Sequence, residues 1–295
     1  MLSTVRVARV SAGHLALGPR WLSPAKAVAT TMRSITWLAR TGGREDASGI
    51  RILFYHRVAP EADELGVTPP KFAQQMQELA CRGFTVVDLA AVTHALEAGA
   101  DRDRLIGLSF DDGYQDVADH ALPVLRDLGF RATVFISTAV TDGLASFTWY
   151  ERQPPLMSWE TISKLDAQGT LRFEAHTMTH PNLLQLTNDE LRREIVGSKH
   201  DLEQRLGRSV AGFCYPAGLF GDRERREVEA AGFAWAASCE PGVNTPSTDR
   251  LALRRRQIDR HDTLLDFRAK VAGGHDTPLW LRGLYRRVRY GAEAA

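Results

Sequence analysis

Three cysteines, a nearly balanced charge and the lack of any long apolar run set the first limits on this chain of 295 residues. Cys81, Cys214 and Cys239 are too few and too irregularly spaced for a disulfide framework or a four-cysteine zinc site, so a reducing compartment fits. A formal net charge of +1 removes the electrostatic argument for nucleic acid or a strongly acidic polymer as partner. No stretch approaches the roughly 20 apolar residues that span a bilayer, and Arg6, Arg9, His14, Arg20 and Lys26 interrupt the first thirty positions. Neither a transmembrane helix nor a secretory signal is expected, which favours the cytoplasm or the inner membrane surface, with export as the alternative. No internal repeat is visible.

What is present describes an ordinary soluble globular protein: 44% apolar and 25% charged residues, and enough length for one large α/β barrel or two small domains. Residues 1–49 carry seven Lys or Arg against Glu45 and Asp46, and look like a basic N-terminal extension. One reading is a tail or packing helix; the other is a basic amphipathic segment resting on an anionic membrane. The tail 276–295, with Trp280, Tyr285 and Tyr290 interleaved among arginines, invites the same pair of readings.

Between these ends, over 50–275, short apolar runs alternate with helical periods. Ile52 to Tyr55, Phe84 to Val87, Leu105 to Phe110, Ala132 to Ile136, Leu171 to Phe173, Gly212 to Tyr215, Phe233 to Ala237 and Leu251 to Ile258 read as strands. Helices are expected from Pro70 to Arg82, Leu89 to Leu96, Val117 to Leu128, after the Ser158 cap to Gln168, after Thr187, from Asp222 to Ala231 and from Thr263 to Ala272. Thr187-Asn188-Asp189-Glu190 has capping-box spacing, and Gly207 ends the helix that it starts. So many βα units within one segment predict a parallel sheet closed, or nearly closed, into a single-domain barrel.

Asp111 and Asp112 follow the strand Leu105 to Phe110 and precede Gly113, at the carboxyl end of a parallel strand where barrel enzymes keep their chemistry. Neighbouring residues at a strand end point in different directions, so one carboxylate can bind a metal while the other faces water or substrate. His176 and His180, four positions apart at the end of another strand, can reach one ion. A carboxylate from a different strand would complete a three-ligand site with positions left for water and substrate.

Ser109-Phe110-Asp111-Asp112-Gly113-Tyr114 and His176-Thr177-Met178-Thr179-His180 resemble the first two motifs of the polysaccharide deacetylases, the NodB-homology group of carbohydrate esterases, over about 51–272. The resemblance implies a distorted (β/α) barrel and a divalent metal, zinc foremost with cobalt or another transition ion as alternatives. It implies Asp112, His176 and His180 as ligands, Asp111 as catalytic base, and hydrolysis of an N-acetyl group on an N-acetylated glycan. Phe213-Cys214-Tyr215-Pro216-Ala217-Gly218 resembles the third motif, whose Tyr215, Pro216 and Gly218 would wall the groove, except that Cys214 stands where an arginine usually orients the base. That departure, and Tyr55-His56-Arg57-Val58, resemble the poly-N-acetylglucosamine deacetylase branch.

His56 and His261 are the candidate acid-base histidines beside Asp111, and Tyr114, Thr177 and Trp149 the further candidate substrate contacts. The run Arg254-Arg255-Arg256 reads most simply as a strand edge and solvated face. Two other functions stay open: a glycan-binding module with weak chemistry, and a metal hydrolase of a small cyclic amide.

Overall fold

The computed structural model describes residues 22–44, 49–61, 63–99 and 104–276. Residues 1–21 and, apart from Asp276, the expected basic tail lie outside them. The elements are α1 (Leu22–Thr41), β1 (Arg51–Tyr55), β2 (Arg57–Val58), β3 (Gly66–Val67), α2 (Pro69–Cys81), β4 (Thr85–Val87), α3 (Leu89–Ala98) and β5 (Leu105–Phe110). A π-helical turn (Val117–Ala121) leads into α4 (Leu122–Asp127), followed by β6 (Ala132–Ile136), α5 (Thr138–Thr141), α6 (Trp159–Gln168) and β7 (Leu171–Ala175). The described elements then continue with α7 (Asn188–Leu206), β8 (Gly212–Cys214), α8 (Asp222–Ala230), β9 (Trp235–Ala237), β10 (Arg256–Gln257) and α9 (Leu264–Val271).

The sheet runs β10-β1-β5-β6-β7-β8-β9 with β4 also on β5, and every pairing in it is parallel. Wholly buried strands such as Ala132–Ile136 carry apolar runs because helices cover one face and the barrel interior the other. The two ends of the sheet are tied by the segment that precedes β10. Its Leu253 forms a parallel bridge with Ala237 of β9, and Arg256 then pairs with Leu53 of β1. This short seam makes the barrel distorted, and it shrinks the expected strand Leu251 to Ile258 to two residues.

Local signals set the boundaries. Thr187 and Glu190 form the reciprocal capping box, Ser158 accepts from Thr161 N, and Gly207 takes the left-handed conformation that ends α7. Because all strands are parallel, β1, β5, β7 and β8 end on one face, and their loops bring Tyr55-His56, Asp111-Asp112, His176 to His180 and the 214–218 turn together.

Helix α1, a packing helix rather than a free tail, docks on α9 through polar contacts. Ser34 donates to Asp266 (2.6 Å) and lies 2.8 Å from His275 Nε2, Thr31 also donates to Asp266 (3.1 Å), and Trp37 packs on Ala269 and Ala272. Asp266 also accepts from Thr263 N in the capping box of α9. Asp266→Ala removes the side-chain half of the α9 capping box and the carboxylate that accepts from Ser34 and Thr31, so a loss of about 2 kcal/mol is expected in urea unfolding. An unchanged midpoint would show that the dock contributes nothing.

Candidate metal and acid-base site

Asp112 leaves the end of β5 in a left-handed conformation (φ 74°), followed by Gly113 (φ 73°), where a Cβ would fall 2.5 Å from the Ile136 side chain. Five non-glycine residues among those described have positive φ, and four of them, Asp112, Thr177, His180 and Ala217, belong to three loops at this one end. Strain of this kind persists where the surroundings over-determine it, and it marks the mouth as a built site.

Asp112, His176 and His180 each present a ligand atom within 4.8 Å of the others. His176 Nε2 and His180 Nε2 lie 3.7 and 3.8 Å from Asp112 Oδ1. His176 Nδ1 sits 2.7 Å from the Cys214 carbonyl, which requires the proton there and leaves the Nε2 lone pair facing Asp112. Thr177 forms the turn between the two imidazoles: its hydroxyl donates to the His176 carbonyl and accepts from His180 N. Its side chain, expected to contact substrate, is fully buried and engaged within this turn.

The electrostatics fit a cation. Burial drives the His176 pKa down to about 4, and burial followed by His176 drives His180 well below the usual imidazole range, so both rings are neutral donors. Burial and then the charge of Asp111 push Asp112 well up. Both Asp112 oxygens and His180 Nδ1 are buried without hydrogen-bond partners. One carboxylate and two imidazoles, orphaned and converging, are the donor set of a divalent transition ion.

Asp111 is held differently. Arg255, fully buried, donates from Nη1 to Asp111 Oδ1 (2.6 Å) and from Nη2 to Oδ2 (2.9 Å). Its other donors reach Ser109 Oγ (3.1 Å), the Ser238 carbonyl (2.9 Å) and Cys214 Sγ (2.9 Å), and its plane lies over Phe54 at 4.3 Å. Burial alone would raise the Asp111 pKa, but the charge and hydrogen bonds of Arg255 bring it below the usual value. Asp111, His176 and Cys214 also converge. Arg255 already occupies both Asp111 and the sulfur, and burial holds the Cys214 thiol protonated.

The solvated face expected for Arg254 to Arg256 is therefore wrong at its middle residue. The signal was the alternation: Leu251, Leu253 and Arg255 are buried in turn, while the residues between them are half-exposed.

Other expected contacts divide. His56 is half-buried just after β1, edge-on to Phe54, with its pKa lowered by burial against the opposing pull of Asp111. His261 is exposed on the turn before α9. Trp149 is half-buried, edge-on to His180 at 4.8 Å and stacked on Phe147 at 4.6 Å, and it borders the ligands. Tyr114 is fully buried beneath it, with its hydroxyl unpaired. Pro216 and Gly218 are buried, and the Tyr215 side chain turns inward, donating to the Leu251 carbonyl and stacking on Phe220.

Residues 98–236 match the family model described as polysaccharide deacetylase. YxkH of Bacillus subtilis, described as a polysaccharide deacetylase, is 25% identical over 215 residues, 72% of this chain and 73% of that one. A poly-β-1,6-N-acetyl-D-glucosamine N-deacetylase of Staphylococcus epidermidis is 23% identical, covering 70% and 73%. Among solved structures, IcaB from Ammonifex degensii superimposes with a TM-score of 0.67 at 23% identity over 76% of this chain and 97% of its own. The Streptococcus pyogenes deacetylase PplD, solved with acetate, also gives 0.67, at 22% identity over 76% and 98%.

Proposed function

Because the chain belongs to the polysaccharide deacetylase family, we propose that it hydrolyses the N-acetyl group of N-acetylated amino sugars in a glycan, releasing acetate and a free amine. The observation that carries this reading is the division of labour in one dipeptide: Asp112 faces His176 and His180, while Asp111 is bound to Arg255.

Asp112, His176 and His180 would hold a divalent ion, zinc by donor type, which supplies polarisation of the acetyl carbonyl and acidification of water. Asp111, ionised and fixed on both oxygens by Arg255, takes a proton from the attacking water on a remaining lone pair. We assign delivery of a proton to the leaving nitrogen to His56, which shares the electrostatic environment of Asp111 and Arg255, rather than to exposed His261. Trp149, flanking His180, offers an aromatic face to a sugar ring. A binding module would not need a second carboxylate held by a fully buried arginine.

Acetate release from poly-N-acetylglucosamine and from peptidoglycan, followed with and without chelator, tests this. Expected is release from at least one polymer, its loss to about background after chelation, and its return with zinc or cobalt. Glycan retention with no release at any metal loading would favour the binding module.

A further inference from the structure

Helix α1 is amphipathic in the wrong sense for a helix packed on a barrel. It meets α9 and the segments flanking that helix with Ser34, Thr31, Arg33 and Lys26, whose partners are Asp266, the His275 carbonyl and Asp259, and among the described residues Trp37 is the one buried apolar side chain that it adds to the core there. Its opposite side carries Val28, Met32 and Ile35 at positions i, i+4 and i+7, with Leu38 beside them. These four are 64, 57, 47 and 44% exposed, and among the described residues only Leu144 and Val196 are also large, apolar and exposed. An apolar stripe so concentrated on one helix marks a contact surface.

Charge identifies what the surface meets. Before Glu45 the chain has seven Lys or Arg and no acidic residue. Past Asp276 it has Arg282, Arg286, Arg287 and Arg289 before its next acid, Glu293, with Trp280, Tyr285 and Tyr290 among them. Both stretches leave the described fold at α1, one at Leu22 and the other beside Arg33, which donates to the His275 carbonyl. The chain as a whole is close to neutral, so the sequence at its two ends carries a positive charge that the segment between them does not share. A second copy of the chain would bring the same positive charge against it.

We propose that the outer face of α1 lies on an anionic lipid bilayer, with Val28, Met32, Ile35 and Leu38 in the interface and the exposed Arg40 and Arg44 at its end beside lipid phosphates. Lys26 pairs with Asp259, just beyond the carboxyl end of β10, whereas Trp37 lies against Gly274 near the start of β1. The helix thus runs along the barrel wall, and a bilayer on its outer face leaves the mouth opening along the membrane surface.

The test is co-sedimentation of the full chain with phosphatidylcholine vesicles containing or lacking phosphatidylglycerol. Alongside the wild type go Met32→Glu/Ile35→Glu and the uncharged Met32→Ser/Ile35→Ser, each checked for an unchanged thermal midpoint, with mass in solution from light scattering. Expected are binding that requires phosphatidylglycerol, a monomer in solution, and a loss of about tenfold in partitioning for both variants. Acetate release from a soluble N-acetylglucosamine oligomer should be the same in all three, which keeps this surface separable from the catalytic reading. No vesicle binding by the wild type overturns the proposal. So does loss in the glutamate variant alone, or a wild-type dimer that the variants dissociate.

Discussion

Asp111→Asn is expected to lower kcat by about 10³-fold while metal content stays near one ion per chain, and Asp112→Ala to lose metal and turnover together. The argument is positional. Asp112 stands within 4 Å of both imidazole Nε2 atoms and has no hydrogen-bond partner of its own, so alanine removes one ligand of three. Asp111 has both oxygens on Arg255 and contributes no ligand atom to that set. Its replacement by the isosteric amide leaves a fully buried guanidinium without its counter-charge, so about 3 kcal/mol of stability should go with the activity. Metal content by mass spectrometry and acetate release are therefore read together, on protein shown to be folded at the assay temperature. Equal metal loss in the two variants would overturn the division of roles.

The grouping of Asp112 with His176 and His180 was legible in the sequence because both halves of it are local. Asp111-Asp112-Gly113 follows an apolar run whose strand, Leu105–Phe110, ends where the pattern ends, and His176 and His180 share one tight turn. The parallel barrel followed equally from runs such as Ala132–Ile136, which no amphipathic helix would show. What the sequence could not convey was direction and distance. Thr177, Tyr215 and Pro216 sit beside functional residues and were expected to face substrate, but the tight turns that aim the imidazoles and the backbone send these side chains into the protein. Helix α1 was ambiguous for a related reason: its stripe of Val28, Met32 and Ile35 would normally be the buried face, and only the Ser34-Asp266-His275 contacts show that the polar side is the one that docks. Arg255 is the extreme case. It reaches Asp111 across 144 positions of sequence, from the middle of an arginine run that reads as a solvated strand edge.

Arg255→Met should lower kcat by about 10²-fold with KM changed only a few-fold, because a misplaced base weakens the transition state more than the ground state. Cys214 stands where an arginine was expected to orient the base, and a different arginine holds that carboxylate here: the guanidinium of Arg255 touches both Asp111 oxygens and the Cys214 sulfur at once. A small side chain at 214 is what leaves room for it. Arg255 acts through Asp111, so its effect should carry a signature that plain destabilisation lacks. Burial pushes the Asp111 pKa up and Arg255 overrides it; with the guanidinium gone, burial acts alone. The carboxylate is the active form, so the acid limb of the kcat profile should move to higher pH, with activity lost most on the acid side and least on the alkaline side. Lysine, a point charge without the planar fork, should restore the limb better than it restores kcat. The two arginine positions converge on one carboxylate, so Cys214→Arg placed on Arg255→Ala should recover part of kcat, whereas Cys214→Arg alone crowds the guanidinium already there and should be harmful. Additive losses in that double variant, or an acid limb that stays put in Arg255→Met, would reduce Arg255 to a packing residue.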